Sequence, residues 1–234
     1  MADLTTAARP SATDAPPAWQ PSTETGVRSL TILGATGSIG TSTLSLVDHH
    51  PGRFEVEAVT AGSNANELAQ IAIKYGANRA VIADETRYPA LKDALAGTGI
   101  KAMAGQQAMI EAASVPVDCV LAAIVGAAGL PPAFAALQHS SRMGLANKEC
   151  LVCAGDIFMK EVKRHDVELL PVDSEHSAAF QALGDAPADT IDKITLTASG
   201  GPFRSWTAEQ ISKATRDEAL KHPNWSMGAK ITID

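Results

Sequence analysis

The chain has 234 residues, of which 45% are hydrophobic and 19% charged, with a formal net charge of −7. That is ample for a core and longer than a usual single domain, so one complete domain and part of another are expected. No basic stripe is present to contact nucleic acid, no apolar run reaches membrane-spanning length, and the odd, sparse set Cys119, Cys150 and Cys153 argues for a reducing compartment, the cytoplasm.

Residues 1–28 are rich in Ala, Pro, Ser and Thr, without apolar periodicity, and are expected to form a disordered extension. From Ser29 the chain alternates short apolar runs with helical patterns, the signature of a parallel sheet with crossover helices. Strands are predicted at Leu30–Leu33, Val56–Thr60, Arg79–Ile82, Lys101–Met103, Cys119–Ala122, Met143–Leu145 and Val167–Pro171. Helices are predicted at Thr41–Val47, Glu67–Tyr75, Pro89–Ala96, Gln106–Ala113 and Pro131–Gln138. After Pro171 the texture changes. A short helix is expected after Asp173-Ser-Glu-His176, a strand at Ile194–Thr197, short helices at Thr207–Lys213 and Arg216–Leu220, and an irregular loop from Lys221 to Gly228.

Leu30-Thr-Ile-Leu-Gly-Ala-Thr-Gly-Ser-Ile-Gly40 carries the first chemical signal: a buried strand breaks into three glycines and a helix follows. In such a turn the first glycine takes angles a Cβ forbids, the second lets a pyrophosphate approach, and the third packs helix against strand. The helix start then favours the anion. A glycine turn without any ligand is the competing reading. Thr60-Ala-Gly-Ser-Asn64 lacks the acid that usually holds an adenosine ribose. Ser63 and Asn64 can donate to a 2′-phosphate, which favours NADP over NAD, or they merely form a turn and helix cap.

In Leu145-Ala-Asn-Lys-Glu-Cys150, Asn147 and Lys148 are expected to face the crevice at a strand end, with a solvated turn as the alternative. Asp173 and Glu175, two apart, share a face while the chain is extended, and such a pair suits Mg²⁺ or Mn²⁺. Cap chemistry equally uses Asp173 or Ser174 to start a helix. His176 is out of phase and reads as structural. Ser199-Gly-Gly-Pro202 is either a phosphate surface or an ordinary turn. His222–Gly228 is either a lid or a loop anchored by Trp225 and Met227. Cys150 is a candidate acylating nucleophile, yet neither it nor Cys153 has a second cysteine pair or an identifiable His partner.

Taken together, Leu33-Gly-Ala-Thr-Gly-Ser-Ile-Gly40, Ala122-Ala-Ile-Val-Gly-Ala-Ala-Gly-Leu130, Leu145-Ala-Asn-Lys-Glu149, Leu170-Pro-Val-Asp-Ser-Glu-His176, Ser199-Gly-Gly-Pro-Phe-Arg204 and His222-Pro-Asn-Trp-Ser-Met-Gly-Ala-Lys230 closely resemble the 1-deoxy-D-xylulose 5-phosphate reductoisomerase family, in matching order. The resemblance implies an α/β fold, a Rossmann-like doubly wound parallel sheet over residues 29–171, followed by part of an α+β catalytic domain over 172–234. It implies NADPH- and metal-dependent conversion of 1-deoxy-D-xylulose 5-phosphate to 2-C-methyl-D-erythritol 4-phosphate for non-mevalonate isoprenoid synthesis. By position, Thr36, Gly37, Ser38, Ile39, Gly62, Ser63, Asn64, Asn147, Glu149 and Gly228 would hold NADPH. Lys148, Ser174, Glu175, Ser199 and His222 would contact the sugar phosphate, and Asp173 and Glu175 would bind Mg²⁺, Mn²⁺ or Co²⁺. Lys148, Asp173, Glu175 and His222 would form the catalytic set. A homodimer is implied for the full-length family.

Two departures accompany the resemblance. Many members carry a basic residue where this chain has Ser63, and members continue past the position of Asp234 into further phosphate contacts and a third metal ligand. The chain as written is therefore expected to bind NADPH without turning over. Two other readings remain: a semialdehyde-type NADP dehydrogenase using Cys150, and a non-catalytic NADP-binding domain.

Overall fold

The computed structural model describes residues 26–197 and 200–221. Most of the predicted extension, residues 1–25, therefore lies outside the described residues. The seven predicted strands all form: β1 (Arg28–Leu33), β2 (Phe54–Ala61), β3 (Arg79–Ile82), β4 (Lys101–Ala104), β5 (Val117–Ala122), β6 (Ser140–Leu145) and β7 (Glu168–Pro171). They make one sheet in the order β4-β3-β2-β1-β5-β6-β7, with every neighbouring pair parallel. Parallel neighbours need crossovers, and α1 (Ser38–His49), α2 (Ala65–Lys74), α3 (Tyr88–Ala94), α4 (Gly105–Ala113), α5 (Leu130–Ala136) and α6 (Glu149–Arg164) supply them. The strand order reverses between β1 and β5, the switch point at which doubly wound sheets open a crevice beyond their carboxyl ends.

Both faces of the sheet are covered, so β1 is apolar on both sides. Ile32 joins Val59, Leu68, Ile82 and Leu91 in one core. Leu33, one residue on and pointing to the opposite face, joins Val120, Met143, Leu145 and Phe158 in another. Phe158 on α6 meets Phe134 on α5 edge to face, with ring centroids 6.2 Å apart. Burying each such side chain stabilises the domain by about 1.5–3 kcal/mol. α6 is broken at Ala154 (φ −146°, ψ 27°), beside Gly155.

Two expectations need correction. Residues 191–197 form no strand: Ile194 and Leu196 are 58% and 67% exposed, and among the described residues no partner strand pairs with them. Alternation makes a strand only where a ladder partner exists. The chain is also not extended through Asp173–Glu175, because α7 (Ser174–Leu183) begins there, with the Ser177 N–H on the Asp173 carbonyl at 2.8 Å.

Contacts divide the chain into two units, residues 1–181 and 182–234. In the second unit, α8 (Ala208–Ile211) and α9 (Arg216–Ala219) each open on a capping box, Thr207 with Gln210 and Thr215 with Glu218. Among the described residues no helix is long and apolar enough to cross a membrane.

Candidate active site

The turn from β1 to α1 uses its three glycines in three ways. Gly34 has φ +94°, and a Cβ there would lie 2.7 Å from the Ala123 carbonyl oxygen. A Cβ on Gly40 would lie 2.3 Å from the Gly34 carbonyl oxygen, so α1 sits against the turn at a distance only glycine permits. Gly37 is different: it is exposed, its φ is an ordinary −80°, and the nearest atom to its Cβ position is 3.4 Å away. Its open side is where a ligand can approach the main chain. No side chain caps α1 and no acid occupies its first turn. The Thr41 N–H donates to the Gly37 carbonyl (2.9 Å), and the N–H groups of Ser38, Ile39 and Gly40 precede it at the open start of the helix.

Thr60, which the sequence reading did not place in the site, holds this turn from β2. It is fully buried, its Oγ1 accepts the Gly34 N–H at 2.9 Å, and its carbonyl accepts the Ala35 N–H at 2.7 Å. A lone threonine inside an apolar strand end was the available signal. Just beyond it, Gly62, Ser63 and Asn64 are exposed. Asn64 caps α2: its Oδ1 accepts the Glu67 N–H at 3.3 Å and its Nδ2 donates to Glu67 Oε2 at 2.5 Å.

Across the switch point, Ala123 N–H donates to the Leu33 carbonyl at 2.9 Å, tying the loop after β5 to β1. Ile39, in the first turn of α1, and Val125, in the loop after β5, are 37% and 72% exposed and place apolar side chains on either side of the switch point. Asn147 is not turned outward as expected. It is 3% exposed, donates through Nδ2 to the carbonyls of Ile124 and Gly126, and accepts the Glu149 N–H at 3.0 Å. It fastens the loop after β5 to the start of α6, and a Cβ at Gly129 would collide with its amide.

Lys148, half-exposed, does reach the strand ends: its Nζ lies 3.4 Å from Asp173 Oδ2. The other Asp173 oxygen is 3.2 Å from His176 Nδ1, and the Asp173 carbonyl accepts the Ser177 N–H at 2.8 Å. A bond from Val172 N–H to the Leu145 carbonyl (2.9 Å) extends the β6–β7 pairing beneath this cluster. Glu175 stands in the first turn of α7 and accepts from Ser174 Oγ at 2.9 Å. Among the described residues no group of three His, Cys, Asp or Glu side chains is placed to hold a metal. Ser199, His222, Trp225, Met227 and Gly228 lie outside the described residues.

Cys150 is corrected as a nucleophile. It is fully buried, and burial, followed by the Glu149 charge, pushes its thiol up to about 11. A thiolate is the attacking form, so this site suppresses the chemistry the dehydrogenase reading required.

A family model described as 1-deoxy-D-xylulose 5-phosphate reductoisomerase matches residues 30–155, and one described as its C-terminal domain matches residues 169–234. The chain belongs to the 1-deoxy-D-xylulose 5-phosphate reductoisomerase family. The reductoisomerase of Nitrobacter hamburgensis is 55% identical over 211 residues, which cover 90% of this chain and 52% of that protein. That of Rhodospirillum centenum is 53% identical over 209 residues, covering 89% and 52%. The chain thus spans about half the length of the curated relatives it matches. Among solved structures, the Zymomonas mobilis reductoisomerase in complex with NADPH superposes with a TM-score of 0.81 at 46% identity, covering 84% of this chain and 52% of that one. A reductoisomerase in complex with NADPH, fosmidomycin and magnesium gives 0.77 at 42% identity, covering 89% and 54%.

Proposed function

We propose that this chain carries the NADPH-binding domain, residues 29–171, and the start of the catalytic domain, from residue 172, of an enzyme that converts 1-deoxy-D-xylulose 5-phosphate to 2-C-methyl-D-erythritol 4-phosphate in isoprenoid synthesis. The observation that carries the reading is the three-glycine turn at the switch point, with Lys148 and Asp173 gathered at the neighbouring strand ends. Family matches on either side of residues 156–168 support the domain division.

In this reading Thr36, Gly37, Ser38 and Ile39 receive the pyrophosphate at the start of α1, and Gly62, Ser63 and Asn64 receive the adenosine end. Glu149 acts at the β6 end beside the buried Asn147, which holds that loop in place, and Gly228 belongs to the same set. Asp173 and Glu175 offer the hard oxygen donors that Mg²⁺, Mn²⁺ or Co²⁺ prefers, and Asp173 is only partly exposed, which suits a ligand held at the base of a crevice. When bound, the metal supplies Lewis-acid polarisation of the substrate oxygens. Lys148 places its ammonium beside Asp173, where it pairs with an anionic oxygen of the substrate. Ser174, Ser199 and His222 complete the substrate contacts. The sparse, odd set of cysteines supports a cytoplasmic location, and a homodimeric assembly rests on the family resemblance.

Calorimetric titration of 1-deoxy-D-xylulose 5-phosphate into the NADPH-loaded chain tests this. Binding that requires Mn²⁺ supports the reading. NADPH binding with no metal-dependent response to the sugar phosphate would favour a dinucleotide-binding domain without that chemistry.

A further inference from the structure

A dinucleotide with a 2′-phosphate differs from one without by a group carrying about −1.5 to −2 charges at neutral pH. Doubly wound folds receive that end of the ligand near the second strand's carboxyl end, where a nearby arginine accommodates the phosphate. Residues 60–67 of this chain contain neither Lys nor Arg. Ser63 is neutral, and the Asn64 amide is engaged with Glu67. The adjoining strand end supplies a cation.

The β3 end is fastened to this loop. Ala83 N–H donates to the Ala61 carbonyl and Asp84 N–H to the Gly62 carbonyl, both at 2.9 Å, prolonging the β2–β3 pairing past the strands. The next turn, Glu85–Arg87, closes with Arg87 N–H on the Asp84 carbonyl at 3.0 Å. In residues 60–67, 83–90 and 104–108, the carboxyl ends of β2, β3 and β4, Arg87 is the single Lys or Arg. Its side chain is 61% exposed and meets Asp84 only across 3.8 Å. An exposed pair of that length is weak and displaceable. The Asp84 carboxylate is already held by the Thr86 N–H at 3.0 Å and hydroxyl at 2.6 Å. Glu85 packs on Gly105, whose Cβ position lies 2.3 Å from Glu85 Oε1, and so leans toward β4.

We propose that Arg87 is the specificity-determining residue for the 2′-phosphate, its planar guanidinium exchanging the long contact with Asp84 for two phosphate oxygens. This rests on the reading of the β1–α1 turn as an NADPH site. Without Arg87 the β3 end keeps Asp84 and Glu85, so a phosphate there would face two carboxylates with no cation from the ends of β2, β3 or β4.

The test is titration of NADPH and NADH into the 234-residue chain and its Arg87→Gln, Arg87→Lys and Asp84→Asn variants, with thermal melts to confirm folding. The expected result is a 10- to 100-fold weaker NADPH affinity for Arg87→Gln with NADH unchanged, on the order expected for charge-assisted hydrogen bonds. Arg87→Lys falls between, and Asp84→Asn binds NADPH more tightly. Wild-type NADPH binding that Arg87→Gln leaves intact, or weakens equally for NADH, overturns the assignment while the site reading stands. A wild-type chain that binds neither dinucleotide overturns both.

Discussion

Thr60 and Gly34 are joined by a hydrogen bond from the Gly34 N–H to the Thr60 hydroxyl, 2.9 Å long, at the place where β1 gives way to the glycine turn. The left-handed backbone at Gly34 (φ +94°) turns this N–H toward β2, and a side chain completes what the ladder does not. Replacing Thr60 with Val keeps the shape and removes the acceptor. The expected cost is about 1–3 kcal/mol, read as a drop of several degrees in melting temperature, with Thr60→Ser retaining most of the wild-type stability. Equal melting of the Val and wild-type chains would show that the hydroxyl contributes nothing.

Substitutions at Gly40 and Gly37 are expected to show in different measurements. Gly40→Ala drives a methyl against the Gly34 carbonyl and the Ala35 backbone, costing about 1–3 kcal/mol or more in urea unfolding. Gly37→Ala meets nothing closer than 3.4 Å, so stability stays near wild type while NADPH affinity falls because the added Cβ stands on the open side of the turn.

Most of the sheet was legible because a parallel sheet buried on both faces writes itself as apolar runs, and Leu30–Leu33 and Arg79–Ile82 are such runs. The early part of β6 was not, because Ser140 and Arg142 are polar and join the ladder through pairing with Val117 and Cys119. Arg142 also reaches Glu168 on β7. At Ile194–Thr197 the same alternation misled, since pairing is a property of two segments and sequence shows one. At the site, Gly34, Gly37 and Gly40 could be read from spacing. Asn147 could not, because its burial depends on the loop after β5 folding over it. The Asp173–Glu175 spacing argument assumed an extended chain, and the first turn of α7 removed that premise.

Cys150 supplies a pH-dependent prediction. Its thiol is held near 11 in the folded chain against an ordinary 9.0, so between those values the unfolded chain releases the proton and the folded chain keeps it. Stability attributable to this group is therefore intact below pH 9 and lost as pH rises toward 11, by on the order of 2–3 kcal/mol. Urea unfolding of wild type and Cys150→Ala from pH 8 to 10.5 should show a steeper decline for wild type. At pH 8, iodoacetamide should label the exposed Cys153 and spare Cys150 in the folded chain.

Asp173→Asn separates structure from ligand binding. The Lys148–Asp173 pair is partly exposed and contributes about 0–1 kcal/mol, so the melting temperature should change little. Mn²⁺ binding by the NADPH-loaded chain, followed by electron paramagnetic resonance, should be lost. A variant that keeps Mn²⁺ binding would remove Asp173 from the metal site.

The most direct test is fluorescence titration of NADPH into the 234-residue chain, with Gly37→Val alongside. The account predicts saturable one-to-one binding by the wild-type chain and binding at least tenfold weaker by a folded Gly37→Val chain. Absence of NADPH binding by the folded wild-type chain, or equal binding by the two, would contradict the assignment of the β1–α1 turn as the cofactor site.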